Sequence, residues 1–168
     1  NQFDNTANKT GHFNTTGPEF WEQTHGQIDG FICAVGSGGT LAGTADYLRT
    51  KNKDIKIGIA DPMGSALYEF YAHGMIKAKG SSISEGIGQG RITANLEGLE
   101  IDIPVQVSDE EAIPILFDLL EKEGLFLGGS SAINVAGAVK MAKKMGFLPV
   151  VHDMDGFNPA QFAEYKRV

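Results

Sequence analysis

A short segment of sequence GSGGT, residues 36–40, separates an apolar run of strand length from residues with apolar side chains at helical spacing. Glycines let a backbone approach a ligand closely, and free amides at the start of a helix attract anions. Serine and threonine hydroxyls supply further hydrogen-bond donors. The pattern predicts an anion-binding loop, here named the glycine cradle, which is formed by Gly36, Ser37, Gly38, Gly39 and Thr40.

Other glycine-rich motifs do not fit the cradle. A dinucleotide fingerprint that starts at Gly36 requires glycine where Leu41 stands, and a P-loop requires lysine in place of Thr44. A nucleophile elbow around Ser37 requires glycine in place of Val35. Two interpretations stay open, namely a site for a terminal phosphate monoester and a glycine turn that serves only helix–sheet packing.

The elements that must position this loop follow an α/β order. Apolar runs predict strands at residues 28–35, 55–61, 103–108 and 148–153, and helical patterns or capping signals lie between them. Such alternation favours a parallel, Rossmann-like sheet with helices on both faces, a three-layer arrangement. We expect one partial domain over residues 1–168, in which residues 147–168 form a divergent tail.

Several local signals refine this prediction. The polar first residues look like a loop, and a short helix is expected at residues 15–24. Ser108 and Glu111 match a capping box, and Pro114 is tolerable because it lies early in the helix that follows. Ser130 is expected to cap the last helix. Residues 79–98 show no periodicity, and so long a loop is usually functional or mobile.

Composition excludes several classes of function. The formal net charge of −7 comes without a basic cluster, so we expect no nucleic-acid partner. No stretch is apolar and long enough to suggest a membrane span. Cys33 is the single cysteine, and its place in an apolar strand pattern favours a packing role. Because one cysteine cannot form an internal disulfide, the chain fits a reducing compartment, which favours a cytoplasmic location. The four histidines show no ligand spacing, so no metal site is expected.

Four motifs occur in order along the chain. They are NQFDNTAN with TTGPEFWEQT, then VGSGGTLAG, SEGIGQGRI, and VSDEEAI with LLEKEGLFLGGSSAINVAGA. Together they resemble cysteine synthase (O-acetylserine sulfhydrylase) and cystathionine β-synthase, which are fold-type-II pyridoxal-phosphate enzymes. The resemblance extends over residues 1–146 and implies the C-terminal half of a family member, which belongs to its larger domain.

This resemblance implies roles for individual residues. The glycine cradle would bind the phosphate of pyridoxal 5'-phosphate, and Gln2 would lie near the substrate carboxylate. The cofactor pocket would be lined by the backbone of Gly86, Ile87 and Gly88. Simpler interpretations stay open, since Gln2 could be a solvated side chain, residues 86–90 a flexible connection and Arg91 a surface charge.

The implied activity is β-replacement on O-acetylserine with sulfide, which yields cysteine, in a homodimer. Cystathionine β-synthase-type β-replacement on serine is the alternative chemistry. Neither the family's Schiff-base lysine nor its Ser/Thr-Gly-Asn-Thr substrate loop has a counterpart here, so we expect the isolated chain to be inactive. A non-catalytic half-domain that binds phosphate or pyridoxal phosphate is the other alternative. Neither Asp153 nor Asp155 can be assigned as a partner of the pyridine nitrogen.

Overall fold

The computed structural model describes residues 1–147. The predicted strand at residues 148–153 and the two aspartates beyond it lie outside the described residues. The elements are, in chain order, α1 (Ala7–Asn14), α2 (Thr16–Gln23), β1 (Gly30–Cys33), α3 (Gly39–Lys51), β2 (Lys56–Pro62), α4 (Leu67–His73), a 3₁₀ turn (Ala94–Leu96), β3 (Ile103–Val107), α5 (Asp109–Glu123) and α6 (Gly129–Lys144).

The three strands form a parallel sheet in the order β1-β2-β3. Alternate residues of the central strand β2 enter two separate cores, because successive side chains of a strand point to opposite faces. Ile57 and Ile59 pack in one core with Leu48 of α3, whereas Ala60 packs in the other with Ile133 of α6. The predicted three-layer α/β fold is therefore confirmed.

The first residues differ from the prediction, because α1 forms where the polar sequence indicated a loop. Its stability comes from packing on α3, which hydrophobic periodicity does not report. A Cβ on Gly43 would meet the Lys9 carbonyl oxygen and, at 2.8 Å, the Cβ of His12, so the two helices touch through backbone. The rings of Phe13 and Tyr47 meet edge to face with centroids 5.6 Å apart.

The start of α6 also corrects the sequence analysis. Gly128, in an extended conformation, occupies the N-cap position, and Ser130 lies inside the first turn of the helix. The Ser130 carbonyl oxygen accepts a bond of 2.9 Å from the Asn134 side chain, whose own oxygen accepts the Ala34 amide at 2.7 Å. Asn134 thus ties the helix entry to the end of β1, a long-range role that cap statistics cannot reveal.

Other local predictions are confirmed or adjusted. The capping box of Ser108 and Glu111 is present, and α5 continues through Pro114. α4 ends at Gly74, whose left-handed conformation suits glycine. β1 spans only four residues, because its backbone leaves the sheet after Cys33 to enter the glycine cradle. Within residues 1–147, no helix is both long and apolar enough to cross a membrane.

Two glycine-to-alanine substitutions test the contact between α1 and α3. Gly43→Ala should lower the free energy of unfolding by more than about 1 kcal/mol, because the new methyl group has no space. Gly11→Ala, on the exposed side of α1 with nothing within 4 Å, should instead raise it by about 0.5–1 kcal/mol. Urea unfolding of both variants measures the two values. Equal effects at both positions would contradict the close packing of α1 on α3.

Candidate functional site

The glycine cradle connects the end of β1 to the first turn of α3. Gly38 has φ of 90°, a left-handed conformation that favours glycine. Within residues 1–147, the amides of Ser37, Gly38 and Thr40 donate no hydrogen bond to the protein. These donors lie at the start of a helix, where the helix dipole adds partial positive charge. The geometry suits an anion.

A turn from another part of the chain supports the cradle. The hydroxyl of Thr93 donates to the Ser37 carbonyl oxygen at 2.7 Å, and Thr93 itself is fully buried. A Cβ on Gly38 would lie only 2.6 Å from Cγ of Leu96. These contacts of Thr93 and Leu96 hold the loop in one conformation. The sequence analysis did not identify either residue.

The second predicted glycine segment lies directly against the cradle. The Gly88 amide donates to the Val35 carbonyl oxygen at 2.8 Å. The Gly86 carbonyl oxygen lies 2.6 Å from the position that a Cβ on Gly36 would occupy. Ile87 is partly buried against the core between the sheet and α6. The structure therefore brings together the two segments that separate motifs singled out.

Gln2 is an exposed residue, and the Asn8 side chain connects its backbone carbonyl to the cradle. Its carbonyl oxygen accepts bonds of 2.9 Å from the side chains of Asn8 and Asn95. Asn8 also donates to the Ser37 hydroxyl at 2.8 Å. Asn95 is fully buried, donates to the Phe3 carbonyl oxygen at 2.9 Å and accepts the Lys9 amide at 3.2 Å.

Neither asparagine was singled out from the sequence. An asparagine inside a helix, as Asn8 is in α1, is a signal that could have identified one of them, because asparagine is a poor helix former.

Arg91 has a partner in the same segment. Its guanidinium makes two bonds of 2.9 Å to the carboxylate of Asp4, one to each oxygen. This bidentate contact lowers the pKa of Asp4. The simpler interpretation from the sequence was that Arg91 is a surface charge. In the structure its half-exposed side chain connects the first residues to the turn that supports the cradle.

A histidine lies beside the cradle on its α1 side. Nε2 of His12 is 3.1 Å from the Thr40 hydroxyl, and Nδ1 is 2.8 Å from the Thr16 hydroxyl. When Nε2 carries the proton, it donates to Thr40, and the proton of Thr40 is free to bond an anion. The other neutral tautomer would make Thr40 a donor to His12 instead.

A model of the pyridoxal-phosphate dependent enzyme family matches residues 1–149. The chain belongs to this family. The resemblance stated from the sequence is confirmed, and the cofactor of the family, pyridoxal phosphate, is the one that this resemblance implied.

Similar proteins include cysteine synthase 1 of Neurospora crassa, which is 48% identical over 152 residues, an alignment that covers 87% of this chain and 40% of that protein. Cysteine synthase A of Escherichia coli is 41% identical over 148 residues, an alignment that covers 87% of this chain and 46% of that protein. An O-acetylserine dependent cystathionine beta-synthase from Helicobacter pylori superposes with a TM-score of 0.77 at 34% identity, covering 88% of this chain and 45% of that chain. The chain thus spans less than half the length of these relatives.

The environment of the only cysteine suits packing and not nucleophilic attack. Cys33 packs partly buried against the core between the sheet and α3, and burial raises its pKa to about 11. A thiol with so high a pKa remains protonated near neutral pH and is a weak nucleophile. Its structural position agrees with the packing role expected from the sequence. No group of side chains suited to hold a metal ion occurs among residues 1–147.

Asp61 is a fully buried acid at the end of β2, close to the site. One of its oxygens accepts the Tyr68 amide at 2.7 Å, and the other has no hydrogen-bond partner within residues 1–147. Burial disfavours the charged carboxylate and raises the pKa of Asp61 to about 6 from an ordinary value of 3.8. The neighbouring donor groups of Ser65, Tyr68 and Leu67 oppose this rise only in part.

This raised pKa predicts how stability changes with pH. Between about pH 4 and pH 6 the folded carboxyl holds a proton that the unfolded one releases, so the unfolding free energy falls as pH rises, by about 2–3 kcal/mol. Asp61→Asn should remove this decline and keep the acceptor for Tyr68. The same change at the exposed Asp54 should retain it. Urea unfolding across that pH range measures the slope, and an unchanged slope in Asp61→Asn contradicts the assignment.

Proposed function

We propose that this chain forms the cofactor-phosphate-binding part of a cysteine synthase, an enzyme that makes cysteine by pyridoxal-phosphate-dependent β-replacement on an activated serine. The observation that carries this proposal is the set of unpaired amides at Ser37, Gly38 and Thr40, which face no protein acceptor within residues 1–147. The Gly86–Gly88 segment closes one side of the same loop.

The residues present fit a phosphate monoester. Hydrogen bonds from neutral donors to a charged oxygen each contribute about 1.5–3 kcal/mol, so several amides can hold a phosphate without a lysine. Gly36 and Gly38 have no side chain where a Cβ would strike Gly86 or Leu96, so the loop can stay narrow. The amides and the hydroxyls of Ser37 and Thr40 would hold the phosphate.

Beyond the phosphate, the chain would contribute position. The backbone of Gly86, Ile87 and Gly88 would lie beside the cofactor ring, and Gln2 would face the carboxylate of the substrate. When bound, pyridoxal phosphate supplies an electron sink for the bond changes at the amino acid. The chain's own part is to fix the phosphate end, and through it the place of the ring.

Substrates and assembly belong to the same proposal. Because the relatives are cysteine synthases, the proposed substrates are O-acetylserine and sulfide. We also propose a cytoplasmic homodimer, which the family resemblance implies, without a nucleic-acid or membrane partner. The second candidate is cystathionine β-synthase-type β-replacement on serine, which the family resemblance implies, although the solved neighbour of that name is O-acetylserine dependent. No lysine here lies in the family's Schiff-base context, so we propose that the isolated chain binds the cofactor without turnover.

Binding of pyridoxine 5'-phosphate tests the cradle without requiring a lysine, because this compound lacks the reactive aldehyde. The wild-type chain should bind it at least about tenfold more tightly than pyridoxine, which has no phosphate. Gly36→Ala should remove most of this difference, because its methyl group would meet the Gly86 carbonyl oxygen at 2.6 Å. Gly90→Ala, with nothing within 4 Å, is the matched control and should bind like wild type. Calorimetry that detects no preference for the phosphate compound contradicts the proposal.

Complementation tests the reaction. The chain should be mixed with a polypeptide that covers the part of a cysteine synthase relative that it does not match, in the presence of pyridoxal phosphate. Cysteine formed from O-acetylserine and sulfide only by the mixture supports the proposed function. Cofactor binding without cysteine, by the mixture as well as by the chain alone, favours the non-catalytic half-domain.

A further inference from the structure

Asn8 contacts both the segment that carries Gln2 and the glycine cradle. Its side-chain nitrogen donates to the Gln2 carbonyl oxygen at 2.9 Å and to the Ser37 hydroxyl oxygen at 2.8 Å. Its carboxamide lies against Gly39, where a Cβ would collide with the Asn8 oxygen. Glycine at this position is therefore what allows the amide to reach the first turn of α3.

The direction of the bond to Ser37 follows from the chemistry of the partners. A backbone carbonyl only accepts hydrogen bonds, so the group of Asn8 that faces Gln2 must be its nitrogen. The same nitrogen contacts Ser37, and an amide nitrogen only donates. Ser37 must therefore accept from Asn8 and keep its own proton for another partner.

The second lone pair of the Ser37 oxygen is also engaged. The Gly39 amide lies 3.4 Å from it and points toward it. Within residues 1–147, no protein group accepts the proton of Ser37. A serine hydroxyl has one proton and two acceptor positions. With both acceptor positions facing donors, this hydroxyl can act only as a donor toward a ligand.

We infer that Asn8 is a positioning residue that fixes Ser37 as a hydrogen-bond donor to the anion in the glycine cradle. A freely rotating hydroxyl could equally present its lone pairs, which would repel phosphate oxygens. Asn8 removes that second orientation, so Ser37 presents only its donor and favours a ligand group that only accepts, such as a fully ionised phosphate. The inference rests on the proposed phosphate role of the cradle.

The isosteric change Asn8→Asp reverses the direction of this bond. A carboxylate accepts the proton of Ser37 and turns the hydroxyl lone pairs toward the ligand. The affinity for pyridoxine 5'-phosphate should fall at least about tenfold. The matched control is Asn5→Asp, which adds the same charge in the same segment. Its side-chain oxygen accepts the Ala7 amide at 3.0 Å, a role that a carboxylate keeps, so its affinity should stay near that of wild type.

A double-mutant cycle separates this role from a structural one. In the Ser37→Ala background there is no hydroxyl to orient, so Asn8→Asp should weaken binding no more than Asn5→Asp does. A residue that merely held the Gln2 segment would cause the same loss in both backgrounds. Asn8→Ala is a second test variant and adds no charge. It should weaken binding less than Asn8→Asp does, and this loss of affinity should likewise be absent in the Ser37→Ala background. Urea unfolding establishes that each variant is folded.

The outcomes are distinct for the two proposals. Failure of the wild-type chain to bind pyridoxine 5'-phosphate contradicts the phosphate site itself. Binding by wild type, with a loss from Asn8→Asp that is absent or equal in both backgrounds, overturns the role of Asn8 and leaves the phosphate site standing. A loss confined to the background that contains Ser37 supports both.

Discussion

The structure depends on an asymmetry in the hydrogen bonding of one loop. Protein donors occupy four acceptors around the glycine cradle. They are the Val35 and Ser37 carbonyls, the Ser37 hydroxyl and the Gly38 carbonyl, which accepts from Ala42 in α3. The loop's own amides at Ser37, Gly38 and Thr40 have no such partners within residues 1–147. A loop in which these four acceptors are used and these three amides are free has an electrostatic preference for anions before any charged side chain contributes.

The neighbouring elements maintain this asymmetry. The buried pair Thr93 and Leu96 supports the loop from one side, the Gly86–Gly88 segment covers a second, and α1 brings Asn8 to the third. The burial of Asn95 leaves no side-chain polar atom unpaired, because its side-chain oxygen and nitrogen both have hydrogen-bond partners. Asp61 is the contrast, because one of its oxygens has no partner within residues 1–147 and burial raises its pKa.

The sequence predicted the parts of this arrangement that local patterns encode. The sheet, the capping box at Ser108 and the cradle followed from apolar runs, capping residues and glycine spacing, because each involves residues close together in the chain. α1 was missed because its residues show no apolar stripe and its helix rests on glycines of α3. The contacts of Asn8, Thr93 and Asn95 were missed for a related reason, since their partners are distant in sequence and no local rule pairs them.

Gly43 places the backbone of α1 directly on α3, and Gly39 leaves the space that the Asn8 carboxamide occupies. They have no functional group, yet they set the distance at which α1 delivers Asn8 and His12 to the loop. Natural variation should therefore be as restricted at these two positions as at Ser37. A larger residue would displace a whole helix, together with its polar side chains, and would leave the loop chemically intact but wrongly oriented.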